Sequence, residues 1–288
     1  MIDPTDEIYA SRLPILQSLF DNKISAPEAA AQLATASLSD STTTTTTTTT
    51  LETSLTSLWN LIITLAADSP THHDKLVDLL VDISELPDAT DPATGSPLTL
   101  HDDMQVWKDL PTLGWTFRDE WNFSINPNFN SEKRSRAISR WININRFAAL
   151  LMATEEAVFA SFSWFALVTL RQALETPSEQ IDRARNPIEA WVPAAAAWIE
   201  VLGVEMYEWD EEFPSGGNRG APGKGGPLWT GKHEFCKERW ALWRGRFGGL
   251  AKGDGGEVEG VASVLDSVRK VAGDAEVMMR EIEAGDVE

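Results

Sequence analysis

The chain carries twelve tryptophans, and many of them fall at helical spacing. A buried aromatic side chain removes ~150–250 Å² from water. At ~25 cal/mol per Å² that is roughly 4–6 kcal/mol of gross transfer energy per ring. Whatever this chain folds into must place most of those rings inside. The stretch KHEFCKERWALWRGRF shows the pattern: Cys236, Trp240, Trp243 and Phe247 recur at i, i+4, i+7 and i+11. That spacing draws one apolar seam along a helix expected over 231–247, with Thr230 as its cap.

The same period runs through most of the sequence. Leu51, Leu55, Leu58, Ile62 and Leu65 share one face, and Leu76, Leu79, Leu80 and Ile83 form the stripe of a helix that follows Thr71, with Asp74 near its start. Ile138, Trp141, Ala148 and Met152 line one side of a helix over 131–153. Residues 156–175 are apolar nearly all round, which places that helix at the centre of the fold. DMQVWKDLPTLGWTFRDEWNF reads as two helical pieces broken at Pro111. Pro193 opens a helix running AAAAWIEVLGVEMYEW, and a last helix is expected over 257–284. Ser25 and Glu28 in SAPE have the spacing of a capping box, and TPSE at 176–179 repeats it. No short run alternates apolar and polar residues with β-branched enrichment. The expected fold is all-α: a multi-helix bundle or irregular helical array of about nine to eleven helices, with no sheet.

Nine consecutive threonines occupy 42–50. They are β-branched, low in complexity and unable to build a packed surface alone. The expected organisation is a helical segment over 1–40, a threonine-rich linker over 41–50, and a single all-α domain over 51–284. Loops are expected at 87–99, 124–130 and 214–229, each rich in turn-forming residues.

With 24 basic and 44 acidic residues the formal net charge is −20, which argues against nucleic acid and anionic membranes as partners. A single cysteine, Cys236, excludes an intrachain disulfide. The N-terminus has neither a basic n-region nor an apolar h-region, so the expected location is intracellular, cytoplasmic or nuclear, and not secreted. The charge-free stretch 157–170 is too short to span a bilayer and is bounded by Glu155, Glu156 and Arg171.

GPLWTGKH at 226–233 has the glycine-lysine spacing of a phosphate-binding P-loop. That loop needs a hydroxyl residue after the lysine and a buried strand before it. Here His233 follows Lys232, Pro227 removes an amide, and a glycine-rich run precedes. The nucleotide reading is therefore rejected. HEFC offers a Cys–His pair, but a lone cysteine on an aromatic seam is read as a small buried hydrophobe. Neither His72-His73-Asp74 nor His233 with Cys236 completes a metal site. No catalytic residue, metal or cofactor is expected.

Charge is distributed unevenly. From Arg219 to Lys252 there are eight basic residues and two acidic ones. Arg239 and Arg246 lie with Lys232 on one side of the expected helix. Two readings compete: this face pairs with the protein's own acids, such as Asp210, Glu211 and Glu212, or it binds an anionic ligand or acidic protein partner. The first is preferred, because internal acids are abundant and surface pairs need little. In LGWTFRDEWN, Arg118 beside Asp119 reads as a partly buried ion pair next to Trp121. Asn145 falls on an apolar helix side, so it must be hydrogen-bonded to a neighbouring helix or a ligand.

GGPLWTGKHEFCKERWALWRGRF, VWKDLPTLGWTFRDEWN, WININRFAALL, LRQALE and VPAAAAWIEVLG together resemble a family of filamentous-fungal proteins catalogued as a domain of unknown function. The LW-x-GK-x-x-F-C-x-x-RW segment is the most specific part. The resemblance implies a soluble, helical, intracellular protein and assigns no catalytic residue. The leading expectation is a non-enzymatic protein-interaction or scaffold module acting through the basic helix 231–247. The alternative is a small-molecule binder or enzyme with a pocket under the 214–233 glycine-rich loop. Its lining would come from Arg118, Asp119, Trp121, Asn145, Trp229, Lys232 and His233.

Overall fold

A computed structural model describes residues 7–42, 50–91, 94–101, 103–177, 180–210, 212, 223–253 and 262–286. Most of the threonine tract, the 178–179 part of the second expected capping box, and most of 211–222 lie outside these residues. The described chain is all-α apart from one two-stranded ribbon. It divides into two compact units. The first comprises residues 1–122 and 154–160, the second residues 123–153 and 161–288.

The first unit begins with α1 (Glu7–Ala10), α2 (Leu13–Phe20) and α3 (Ala26–Thr42). The capping box at the start of α3 forms in both directions. Ser25 Oγ accepts from the Glu28 amide at 3.4 Å, and the Glu28 carboxylate accepts from the Ser25 amide at 2.8 Å. A stripe of small side chains, Ala29, Ala30, Ala34 and Ser37, is buried on α3. It lets that helix pack on α4 (Leu51–Asp68) and α5 (His73–Ser84). The N-terminal segment is also bonded to the later helices. Buried Arg12 donates to Ser54 Oγ at 2.6 Å, and Lys75 Nζ donates to the carbonyls of Leu19 and Phe20 at the end of α2.

The segment before Pro111 is not helical. β1 (Thr99–Leu100) pairs antiparallel with β2 (Met104–Gln105), and His101 and Asp103 take positive φ in the turn between them. Turns then lead to Pro111. The Asp109 carboxylate accepts from the Gln105 amide at 2.6 Å, and a proline disfavours helical geometry at the residue before it. Leu110 and Thr112 on either side of Pro111 have φ of 43° and 68°. Such values are uncommon for any residue but glycine, and more so for the β-branched Thr112, and they persist only where the surroundings fix them. Trp59, fully buried on α4, donates its indole N–H to Pro111 O at 2.9 Å, and Thr56 and Thr112 share a hydroxyl contact at 3.1 Å. The bend held there launches α6 (Leu113–Glu120).

The second unit is built on α9 (Ile188–Glu208), which packs on α7 (Ser131–Met152), α8 (Ser163–Leu174) and α11 (Ala262–Ala284). α10 (Lys237–Lys252) packs on α11. α9 starts ahead of Pro193, which sits inside its second turn, and it is interrupted at Leu202 (φ −129°, ψ 17°). Gly203 follows that break because α11 comes close: a Cβ there would lie 2.7 Å from Ile282 Cδ1. The apolar stretch expected as one helix over 156–175 is split into a 3₁₀ segment (Ala157–Phe162) and α8. Ala157–Leu174, at 18 residues and mean hydropathy 1.3, is long and apolar enough to cross a membrane, but 56% of it is buried inside the protein, as in a core helix.

Candidate functional site

Asn145 is fully buried in the second unit, and its partners are all protein. Its Oδ1 accepts from Thr169 Oγ1 at 2.7 Å and from Trp198 Nε1 at 2.9 Å, and its Nδ2 donates to Trp141 O at 2.9 Å. One amide thus ties α7 to α8 and α9 and leaves no acceptor lone pair for a ligand. Arg118 and Asp119 lie on the exposed side of α6, so the expected partly buried ion pair is not there; Trp121 is on the buried side. Arg118, Asp119 and Trp121 belong to the first unit, whereas Asn145 and the glycine-rich loop belong to the second.

The basic helix departs most from its sequence reading. α10 begins at Lys237, after an extended Cys236 (φ −162°, ψ 163°), rather than at residue 231. The residues ahead of it have other partners. Glu234 forms an antiparallel bridge with Glu212, its carbonyl accepts from Arg239 at 2.9 Å, and Lys232 O accepts from Trp229 Nε1 at 2.9 Å. Carbonyls engaged in this way hold the segment extended. Thr230, the expected cap, therefore lies in the loop ahead of the helix.

Arg239, expected on the basic face, is fully buried against fully buried Glu175, the residue that ends α8. Arg239 Nε donates to Glu175 Oε1 at 2.7 Å and a terminal nitrogen donates to Oε2 at 3.1 Å. Trp243 Nε1 donates to Oε1 at 2.8 Å and the Gly226 amide to Oε2 at 2.7 Å. Four donors on one carboxylate make the desolvated charge tolerable, as a buried ion pair requires. The remaining Arg239 nitrogen donates to Gly223 O at 3.1 Å. Its internal partner is thus Glu175, and not the acids 210–212 that follow α9. Sequence reading passed over Glu175. The available signal was a lone carboxylate at the end of the apolar helix, in LRQALE. Its partner is 64 residues away, beyond the reach of any local pattern.

This buried cluster anchors the glycine-rich loop. Leu228 donates its amide to Glu175 O at 2.9 Å, and Arg171 donates to Lys224 O at 3.0 Å. The glycines seat an indole. A Cβ on Gly225 or on Gly231 would lie 2.3 Å from the Trp229 ring, and one on Gly226 would lie 2.7 Å from Glu175 O. The spacing that mimics a P-loop is thus explained by close packing around Trp229 and Glu175. Arg239 also lies 5.5 Å from the Trp229 ring centre.

Above this anchor is an open cleft of about 510 Å³, lined among the described residues in part by Lys224, Trp229, Thr230, Gly231 and His233 and by no acidic one. Along the same loop Lys224, Pro227, Leu228, Thr230 and Lys232 are exposed; Leu228 keeps 38% of its surface in solvent, and Lys232 Nζ lies 3.8 Å from the Glu234 carboxylate. Arg246 is half-buried and donates to Leu174 O at 3.1 Å. Burial, reinforced by the charge of Arg239, draws the Arg171 guanidinium below its ordinary value, while Glu175 acts in the opposite direction. Burial pushes the Cys236 thiol up, so it remains protonated and a poor nucleophile. Among the described residues no three His, Cys, Asp or Glu side chains are grouped to hold a metal.

No curated protein and no solved structure is similar enough to this chain to match it. Residues 59–247, well over half of the chain, match the family described as "Protein of unknown function (DUF3632)". The aromatic seam of α10, the loop it anchors and the helices around Asn145 all fall inside that match, and the chain belongs to this family.

Proposed function

We propose that this chain is an intracellular, non-enzymatic protein-interaction module that holds an acidic, partly apolar segment of a partner against its 223–233 loop. The observation carrying this reading is that the loop is firmly anchored and yet uncovered. Its backbone is fastened to Glu175 at Gly226 and Leu228, while Leu228 and the two lysines Lys224 and Lys232 stand in solvent. A surface fixed in advance loses little conformational entropy on binding. Its basic rim, in a molecule of net charge −20, favours an acidic segment and steers its approach. Arg239 takes no direct part, because it is consumed inside, and the partner face moves from the helix to the loop before it.

A displayed library of short peptides tests the reading. The full chain should select sequences combining acidic and apolar residues. The triple variant Lys224→Glu, Leu228→Ala, Lys232→Glu should lose at least about tenfold in affinity for them. Selected peptides without acidic residues, or binding that survives the triple variant, would overturn it. The cleft volume of about 510 Å³ also lies within the usual range of small-molecule pockets and supports a second reading, a small-ligand binder. A copurified small molecule found in the cleft by native mass spectrometry, with no peptide selected, would favour that reading.

A further inference from the structure

We infer that the acidic group seated in the 224–233 cleft is a phosphate monoester on a side chain of the partner segment; this rests on the interaction reading above. The first argument is an imbalance of charge at the loop's root. Three arginines, Arg171, Arg239 and Arg246, gather around the end of α8. Glu175 gives both its oxygens to Arg239, Trp243 and the Gly226 amide. Arg171 and Arg246 are satisfied instead by neutral carbonyls, those of Lys224 and Leu174. Carbonyls complete the hydrogen bonding but carry no charge, so the one Glu175 carboxylate, which also favours the charged form of Arg171, stands against three guanidinium groups that stay charged at physiological pH.

The second argument is the donor set of the cleft. Among the described residues, its lining brings the Lys224 ammonium, the Thr230 hydroxyl and the His233 imidazole together with no carboxylate. The amides of Thr230 and Gly231 make no hydrogen bond to the described residues. A carboxylate offers one negative charge and two oxygens. A phosphate monoester offers about −1.5 to −2 charges at neutral pH and three strong acceptor oxygens. A site with a positive surplus and several separate donors is better matched by the phosphate. A nucleotide polyphosphate is a poorer fit, because His233 stands where a magnesium-binding hydroxyl is needed and Trp229 fills the space that the glycines leave open.

The test is calorimetric titration of the full chain with three probes: an acidic peptide carrying one phosphoserine, the same peptide with glutamate at that position, and inorganic phosphate. The phosphopeptide should bind at least about tenfold more tightly than the glutamate peptide, the effect of roughly one additional charge-assisted hydrogen bond. Lys224→Glu should remove most of that preference with the melting temperature unchanged. Lys23→Glu, the same charge change on the exposed side of the other unit, should leave it intact. Equal affinity for the two peptides overturns the phosphate inference and leaves the interaction reading standing. Inorganic phosphate binding as tightly as the phosphopeptide overturns the assignment to a partner side chain. Failure of all three probes overturns both.

Discussion

At the scale of single residues, Glu175 ties the end of α8 to α10 and to the glycine-rich loop. It combines complete burial, a negative charge and four donors. Glu175→Gln should leave Arg239 charged, buried and short of its counter-ion, a change that typically costs about 3–5 kcal/mol. Replacing both partners, as in Glu175→Leu with Arg239→Met, should recover a large part of that loss, because two desolvated charges disappear together. Urea denaturation of the single and double variants measures both. A double variant no more stable than Glu175→Gln would mean that the carboxylate's bonds to Trp243 and Gly226 matter more than the ion pair. Nothing in the local pattern points to this arrangement at Arg239. Its seven-residue spacing from Lys232 and Arg246 reads as one basic face, yet the three side chains have different fates: Lys232 is exposed, Arg246 half-buried and Arg239 fully enclosed. Helical periodicity assigns residues to faces, but whether a face meets solvent or another helix depends on what packs against it.

At the scale of elements, local signals served well where the partners are local. The capping box of α3 is made by residues three apart, and it forms as the spacing predicts. The end of α2 is closed locally, by Asn22 at φ 56° and by the Asn22 and Lys23 amides bonded back to Leu19 O and Ser18 O, and it takes a further donor from another helix. Lys75 Nζ donates to Leu19 O at 3.1 Å, Phe20 O at 2.7 Å and Asn22 Oδ1 at 2.8 Å. Lys75→Met should lower stability by about 1–2 kcal/mol, since three acceptors at a helix C-terminus lose a charged donor. The neighbouring His72 stacks on Phe20 with ring centres 3.9 Å apart. Burial, together with the charge of Lys75, holds its imidazole below the ordinary histidine value. As pH falls through that value the unfolded chain takes up the proton first. Stability is therefore present above it and declines below, until the folded form is protonated as well. His72→Phe keeps the stacked ring without the titration. Denaturation at pH 7.5 and 5.5 (about one unit either side of the ordinary histidine value) should show a smaller loss in this variant than in the wild type. An equal loss would assign the acid sensitivity to carboxylates instead.

At the scale of the whole molecule, the described chain clusters into two units whose boundary is crossed more than once. Residues 154–160 cluster with the first unit and include Phe159, which is fully buried. A fragment ending at residue 122 lacks that ring, and loss of a buried phenylalanine side chain costs about 3–5 kcal/mol. The fragment should therefore melt without a cooperative transition by circular dichroism; a sharp transition would show that the segment is dispensable. What the sequence determined by itself is the all-helical class, the interior position of most indoles, the cap of α3 and the absence of a P-loop. Each rests on residues within a turn or two of one another, where spacing and backbone geometry decide the outcome. Only the tertiary structure decided that Arg239 is enclosed, that Asn145 is consumed by three helices, that Arg118 faces water and that the glycines of GPLWTGKH seat Trp229. Those outcomes depend on groups brought together from distant parts of the chain, where desolvation and close packing, rather than local pattern, select the partner.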